Sequence, residues 1–228
     1  MDKDLDYILS ISPYFTAYYK SIGCKNVIEI PPIMDCIETA INPTVRRVRH
    51  VVYAGSPAQK DLILPFLDAV AKRNEKQVDI IADIVGVSNE QVMALMRISD
   101  PEQKGIIAYG RIPHEKCIEI VKMADFSVLL RENLRYAKAG FSTKLSESLS
   151  LGVPVLCNSV GGADEIIQDG QNGIKIDGYD TETIIDAINR ISDSEIDDLK
   201  HNALNTGRSL FDGFVYVAAL NNAVNGLS

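Results

Sequence analysis

The chain has 228 residues, 46% of them hydrophobic, which suffices for one large domain, alone or with a substantial appendage. Nothing in the composition suggests disorder, collagen or a repeat array. A formal net charge of −8 argues against broad nucleic-acid binding, which needs a basic face.

In chain order, a strand-like Tyr7–Ile11 comes first, then a helix opened by Pro13 and running through Tyr18 and Tyr19, then a second short strand, Asn26–Ile30. Pro31-Pro32 and Pro43 break the chain, which reads as a linker, and this opening piece is too small for a core of its own. From Val51 onward the pattern changes. Val51–Ala54, Val78–Val85, Ile106–Tyr109, Phe126–Leu130, Val153–Cys157 and Gly173–Ile176 read as strands, mostly apolar throughout, as expected when both faces are covered. Helical spacing joins Ile63, Phe66, Leu67, Val70 and Ala71, with Asp61 placed to N-cap that helix and Pro65 in its opening turn. The same spacing joins Cys117, Ile120, Val121 and Ala124. This alternation predicts an α/β, doubly wound parallel sheet of about six strands. At the end, Phe211, Phe214, Val217, Leu220 and Val224 read as an apolar stripe on a last helix.

Cys24, Cys36, Cys117 and Cys157 have no metal-ligand spacing, and His50, His114 and His201 are equally scattered; small packed side chains are expected and no metal is implied. The opening Met1-Asp2-Lys3-Asp4 lacks the character of a secretory leader and no apolar run approaches a membrane span, so the expected compartment is the cytoplasm.

Ligands of open parallel sheets bind beyond the carboxyl ends of the strands. There the chain carries Gly55-Ser56-Pro57, Gly110-Arg111 and Gly161-Gly162, any one of which could be a plain turn but which together suggest close backbone approach to a ligand. The loop after the fourth main strand, Arg131 to Lys144, gathers four cations, Arg131, Arg135, Lys138 and Lys144, in an acidic protein. A helix is expected from about Thr143, with Leu145, Leu149 and Leu151 on its apolar side. Its start would favour an anion, Lys144 beside it suits a diphosphate, and Glu147 one turn on suits sugar hydroxyls. Spacing alone leaves two readings: ligand groups, or an ordinary Lys144–Glu147 surface pair. Lys60, just ahead of another helix, poses the same choice between a phosphate ligand and a solvated lysine.

Ala139-Gly140-Phe141-Ser142-Thr143-Lys144-Leu145-Ser146-Glu147-Ser148-Leu149, followed by Leu151-Gly152-Val153-Pro154-Val155, resembles the donor-site helix and next strand of family 4 glycosyltransferases (group 1), in the C-terminal half of their GT-B fold. Gly161-Gly162, Glu165-Ile166-Ile167 and Asp169-Gly170-Gln171-Asn172-Gly173 continue the pattern in order, over roughly Val51 to Asp177. The resemblance implies that Glu147 holds the ribose hydroxyls of a nucleotide-sugar donor and that Lys60 contacts its diphosphate. It further implies that Gly140, Phe141, Ser142 and Thr143 line the phosphates and sugar, and that Arg111 and Ile112 meet the base. Two positions depart from the pattern: Ala139 replaces the first glutamate of the motif, and Ser56 replaces an arginine after the first strand. Arg131, Arg135 or Lys138 could supply the missing charge.

The expected organisation is a remnant of an N-terminal domain plus linker over residues 1–44, carrying Ser10-Ile11-Ser12 and Asp35, and a nucleotide-sugar-binding Rossmann-like domain over 45–228. The implied activity is that of the donor half of a retaining transferase acting in glycan or polysaccharide synthesis, with a separate acceptor-binding domain or subunit as partner. The nucleotide sugar is its substrate, and neither a metal nor another cofactor is implied. The complete enzyme could lie peripherally at a membrane. A non-catalytic subunit that binds a nucleotide or a partner protein is the alternative, favoured by Ala139.

Overall fold

The computed structural model describes residues 5–37, 48–56, 60–190 and 192–226. Its opening piece is β1 (Ile8–Ser10), α1 (Pro13–Ser21) and β2 (Val27–Glu29). Then come β3 (Arg49–Ala54), α2 (Ile63–Arg73), β4 (Ile80–Val85), α3 (Asn89–Met96), β5 (Ile106–Gly110), α4 (His114–Met123) and β6 (Phe126–Leu129). The rest is α5 (Arg135–Ala139), α6 (Thr143–Ser150), β7 (Val155–Asn158), α7 (Gly162–Ile166), β8 (Gly173–Ile176), α8 (Thr181–Arg190), α9 (Asp193–Leu210) and α10 (Val217–Asn225).

The six main strands form one parallel sheet in the order β5-β4-β3-β6-β7-β8. Successive strands move outward from β3 to β5, and the crossover through α4 then returns the chain to the other side of β3. The strand order therefore reverses between β3 and β6, and a crevice opens there. β6 and β7 are buried at every position, which explains why all their residues but Ser127 and Asn158 are apolar.

Alternate residues divide between two cores. Val51 and Tyr53 pack with Phe66, Leu67 and Val70 of α2 and Ile184 and Ile188 of α8. Val52 faces the other way, onto Val121 and Ala124. Phe66 and Leu67 are fully buried, each contributing on the order of 1.5–3 kcal/mol. On the second face, Leu145 and Leu149 of α6 pack with Val155, Cys157, Ala203 of α9 and Phe211. Gly207 brings α9 onto the backbone of α6, since a Cβ there would stand 2.6 Å from Leu149 O. Cys24 and Cys157 are buried, Cys36 and Cys117 half-buried, and none is in a disulfide.

β1 and β2 pair as a separate two-stranded parallel sheet. Ser12 N-caps α1 and also donates its hydroxyl to Ala139 O (2.6 Å), while Arg135 Nε donates to Tyr14 Oη (3.2 Å), docking the opening piece on α5. Residues 31–37 are irregular but anchored: Met34 N–H donates to Phe211 O and Ile37 N–H to Ser150 O. Pro43 and the expected boundary at 44/45 lie outside the described residues.

The apolar stripe expected on one last helix is divided instead. Phe211 C-caps α9 and is fully buried, Phe214 sits 86% exposed in a 3-10 turn (Gly213–Tyr216), and only Val217, Leu220 and Val224 belong to α10. The Asp212-Gly213 break starts a new cap, with Asp212 accepting from Phe214 N–H, so the helical period does not continue.

Candidate functional site

The loops that follow β3 and β6 meet across the crevice. Leu62 N–H donates to Leu130 O (2.8 Å), and Asp61 and Arg131 form an isolated antiparallel bridge. Asp61 does not cap α2, as its position suggested; the cap is Leu62, without a side-chain bond. The Asp61 carboxylate turns to three other groups. It accepts from Arg131 Nε (2.8 Å), from Tyr53 Oη (2.9 Å) and from Lys144 Nζ. Lys144 Nζ also reaches Tyr53 Oη at 3.3 Å and lies 4.7 Å from the centre of that ring. Asn158, at the end of β7, accepts from Arg131 N–H and donates to Arg131 O, so both main-chain polar groups of Arg131 are held.

The Asp61 side chain is only 4% exposed. Burial pushes its carboxyl up, but hydrogen bonds from Lys144 and Arg131 outweigh that and hold it below its ordinary value. Burial also pulls the Lys144 ammonium down, with Asp61 opposing. Burial, then Asp61, pushes the Tyr53 hydroxyl well above its ordinary value, so it stays a proton donor.

α6 opens beside this cluster. The opening N–H groups of an α-helix lack intrahelical acceptors and attract anions. Ser142, its N-cap residue, makes no side-chain cap, and its buried hydroxyl has no hydrogen-bond partner among the described residues. It lines a small cavity with Arg131, Gly140, Asn158 and Gly162. Lys144 and Glu147 line a second small cavity with Ala54 and Ser127, and Thr143 is exposed at the helix start. Lys144 takes Asp61 as its hydrogen-bonded partner, so the simple Lys144–Glu147 surface pair is not formed.

Other expected residues gather at the same edge. Gly55 leaves room for Lys144, because a Cβ there would overlap the Lys144 side chain. Ser56 is exposed just beyond it, and Lys60 is exposed next to Asp61. Arg111 and Ile112 follow β5, two strands from β3, and among the described residues no hydrogen bond or ion pair links them to the cation cluster. Hydrogen bonds stitch these strand ends together, Gly55 N–H to Val85 O and Gly86 N–H to Gly110 O. Gly86, at φ +92° and backed against Gly55 O, was missed by sequence reasoning although its place after a strand was a usable signal. Gly161 and Gly162 fit closely under Ala137 and the Phe141 ring, and they border an open groove with Tyr14 and Lys138. The Phe141 ring lies against Gly162 and packs edge-on to Phe211 at 5.9 Å.

Asp61 and Tyr53 were also missed as site residues. Their partners Arg131 and Lys144 are distant in sequence, and no local spacing links them. His50, which looked isolated, has an acid partner: its Nδ1 lies 2.7 Å from Asp83 Oδ2, and Tyr109 donates to the other oxygen. Burial, then Asp83, pushes the Tyr109 hydroxyl up to about 12. No group of three or more metal-binding side chains occurs among the described residues, and no described helix is long and apolar enough to cross a membrane.

A parallel six-stranded sheet flanked by helices, with its crevice at the strand reversal, is one Rossmann-like half of the GT-B fold. Residues 49–209 match the family described as glycosyl transferases group 1, and the chain belongs to that family. Over 125 residues it is 27% identical to an uncharacterized glycosyltransferase of Methanocaldococcus jannaschii, a match that covers 55% of this chain and 30% of that protein. The fold is similar to sucrose-phosphate synthase from Thermosynechococcus elongatus, with a TM-score of 0.74, 18% identity, and coverage of 99% of this chain and 59% of that one. It is also similar to the lipopolysaccharide outer core galactosyltransferase WaaB, with a TM-score of 0.72, 19% identity and coverage of 98% and 62%. Anabaena HepE, solved with UDP and glucose, gives a TM-score of 0.70 at 16% identity, with coverage of 96% and 63%. The chain thus spans less than two thirds of each of these relatives.

Proposed function

We propose that this chain is the C-terminal, donor-binding half of a retaining family 4 glycosyltransferase that moves a sugar from a nucleotide diphosphate donor during glycan or polysaccharide synthesis. The observation that carries this reading is the placement of Arg131 and Lys144 at the strand-order reversal, beside the start of α6, with Glu147 one turn further. A diphosphate there would meet two cations and a helix start, while Glu147 accepts from ribose hydroxyls. Departure of the diphosphate develops negative charge, so preorganised positive charge is the main catalytic device such a site offers. Lys60 adds an exposed cation at the rim. Arg111 and Ile112, which follow β5, would meet the base across the linked ends of β3 to β5. The capture of UDP and glucose by HepE supports a nucleotide-sugar ligand, and the name of WaaB supports a role in building glycans.

The acceptor would be held by a further domain or subunit seated across the crevice, with residues 1–44 as the junction. Ala139, whose position carries no carboxylate and whose carbonyl is taken by Ser12, favours a second reading, a non-catalytic nucleotide-binding subunit. Thermal-shift measurements with UDP-, GDP- and ADP-sugars test donor binding, because a ligand of the native state raises its apparent stability. A rise with one donor series is expected, and no rise with any would overturn both readings. Transfer assays with the complementary half added then separate them, since only the first gives turnover.

A further inference from the structure

We infer that Asp61 is a positioning residue that seats Arg131 and Lys144 as a preformed pair of cations for a diphosphate, a role that rests on the donor-binding reading. Its geometry is that of an anchor placed behind the two cations. The carboxylate is almost wholly buried, whereas the Arg131 and Lys144 side chains keep 16% and 19% of their surface exposed. Asp61 occupies the Nε edge of the Arg131 guanidinium. Both terminal nitrogens of that guanidinium have no protein partner among the described residues, which leaves its forked edge for an incoming anion. The Lys144 ammonium has three donors, directs two of them inward to Asp61 and Tyr53, and keeps the third for one more acceptor.

Local chemistry points the same way. An aspartate one residue ahead of a helix cap is well placed to serve helix starts, yet α2 is left without a side-chain cap while the carboxylate gathers cations from the loop after β6 and from α6. Broken local rules of this kind concentrate at functional sites. The main chain around the carboxylate is fixed by the Asp61–Arg131 bridge and the Leu62–Leu130 hydrogen bond, and Arg131 is further clamped by Asn158. Without the carboxylate, two like charges would share a buried crevice and repel each other out of register. Preorganisation of this sort reduces what a ligand must spend on ordering its partners.

The test exploits a conflict of sign. Asp61→Asn keeps the side-chain shape and adds one positive charge to the crevice. A site governed by net charge alone would then bind anions more tightly; a site that needs its cations positioned binds them more weakly. Calorimetric titration of wild type and Asp61→Asn with inorganic pyrophosphate and with UDP, GDP and ADP is expected to show at least about tenfold weaker binding in the variant. Equal or tighter binding by a folded Asp61→Asn overturns the positioning role while leaving the donor reading intact. Wild type that binds neither pyrophosphate nor any of the nucleotides overturns the donor reading and this inference with it. If Asp61→Asn does not fold, Tyr53→Phe decides, because it keeps the ring under Lys144 and removes only the hydroxyl that links Lys144 to Asp61. Tyr53→Phe is expected to weaken binding about two- to tenfold, and unchanged affinity there counts against the inference.

Discussion

The Asp61 carboxylate and the Lys144 ammonium, 83 residues apart in the chain, meet as a hydrogen-bonded ion pair across the reversal of strand order. Their contact joins the loop after β3 to the start of α6, so the stability of the sheet edge and the electrostatics of the crevice share one group.

That sharing sets a pH dependence. The folded Asp61 carboxyl titrates below its ordinary value, because the bonds from Lys144 and Arg131 outweigh burial. A carboxyl lowered in the folded state contributes stability that is complete above its unfolded value and is lost as the pH falls through the folded one. Urea midpoints measured downward from neutral pH should therefore fall through the acid range. The fall should be shallower in Asp61→Asn, which has no carboxyl to protonate; parallel curves would show that Asp61 adds nothing to acid stability.

Much of the frame was legible in the sequence, for a physical reason. Strands covered on both faces are largely apolar, so β6 and β7 could be read from their apolar runs despite Ser127 and Asn158, and the reading of β8 matches Gly173–Ile176 at both ends. The start of α6 was legible because Leu145 and Leu149 repeat at helical spacing and both are buried. Asp61 was misread as a helix cap because local preference is all that a sequence displays, whereas its true partners come from β3, the β6 loop and α6. The stripe from Phe211 to Val224 failed for the opposite reason. Apolar spacing persisted across Gly213, but the backbone did not stay helical.

Lys60 and Glu147 should affect binding in different ways. Lys60→Ala should weaken any nucleoside diphosphate by about ten- to a hundredfold, roughly 1.5–3 kcal/mol, with a strong salt dependence, since a point charge is removed. Glu147→Ala should lose a similar amount with a ribonucleotide but little with its 2′-deoxy counterpart. Calorimetry on both variants with both ligands checks the pattern, and identical losses for the two sugars would remove Glu147 from the ribose.

Gly207 carries no ligand chemistry, yet its substitution should reach the crevice. A side chain there would drive α9 off the Leu149–Ser150 backbone of α6. Gly207→Val should cost roughly 1–3 kcal/mol in chemical denaturation. It should also weaken pyrophosphate binding at temperatures where the variant remains folded, because α6 carries Lys144 and Glu147. A destabilised variant with wild-type affinity would show that the helix can shift without moving its first turn.

The chain alone should transfer no sugar at a measurable rate, because a one-sided crevice neither holds an acceptor nor excludes water. Radiolabelled transfer assays with and without a complementary acceptor-binding half test this. Robust turnover by the pure chain would overturn the half-enzyme reading.

Phe211 meets the edge of Phe141 in the loop before α6, while its carbonyl holds Met34 from the other end of the chain. The strap that leads in from the opening piece, the exit from α9 and the turn that introduces the α6 helix all converge on this one residue. A change in the strap or at the α9 exit is therefore only one ring contact away from Phe141, at the entry to α6.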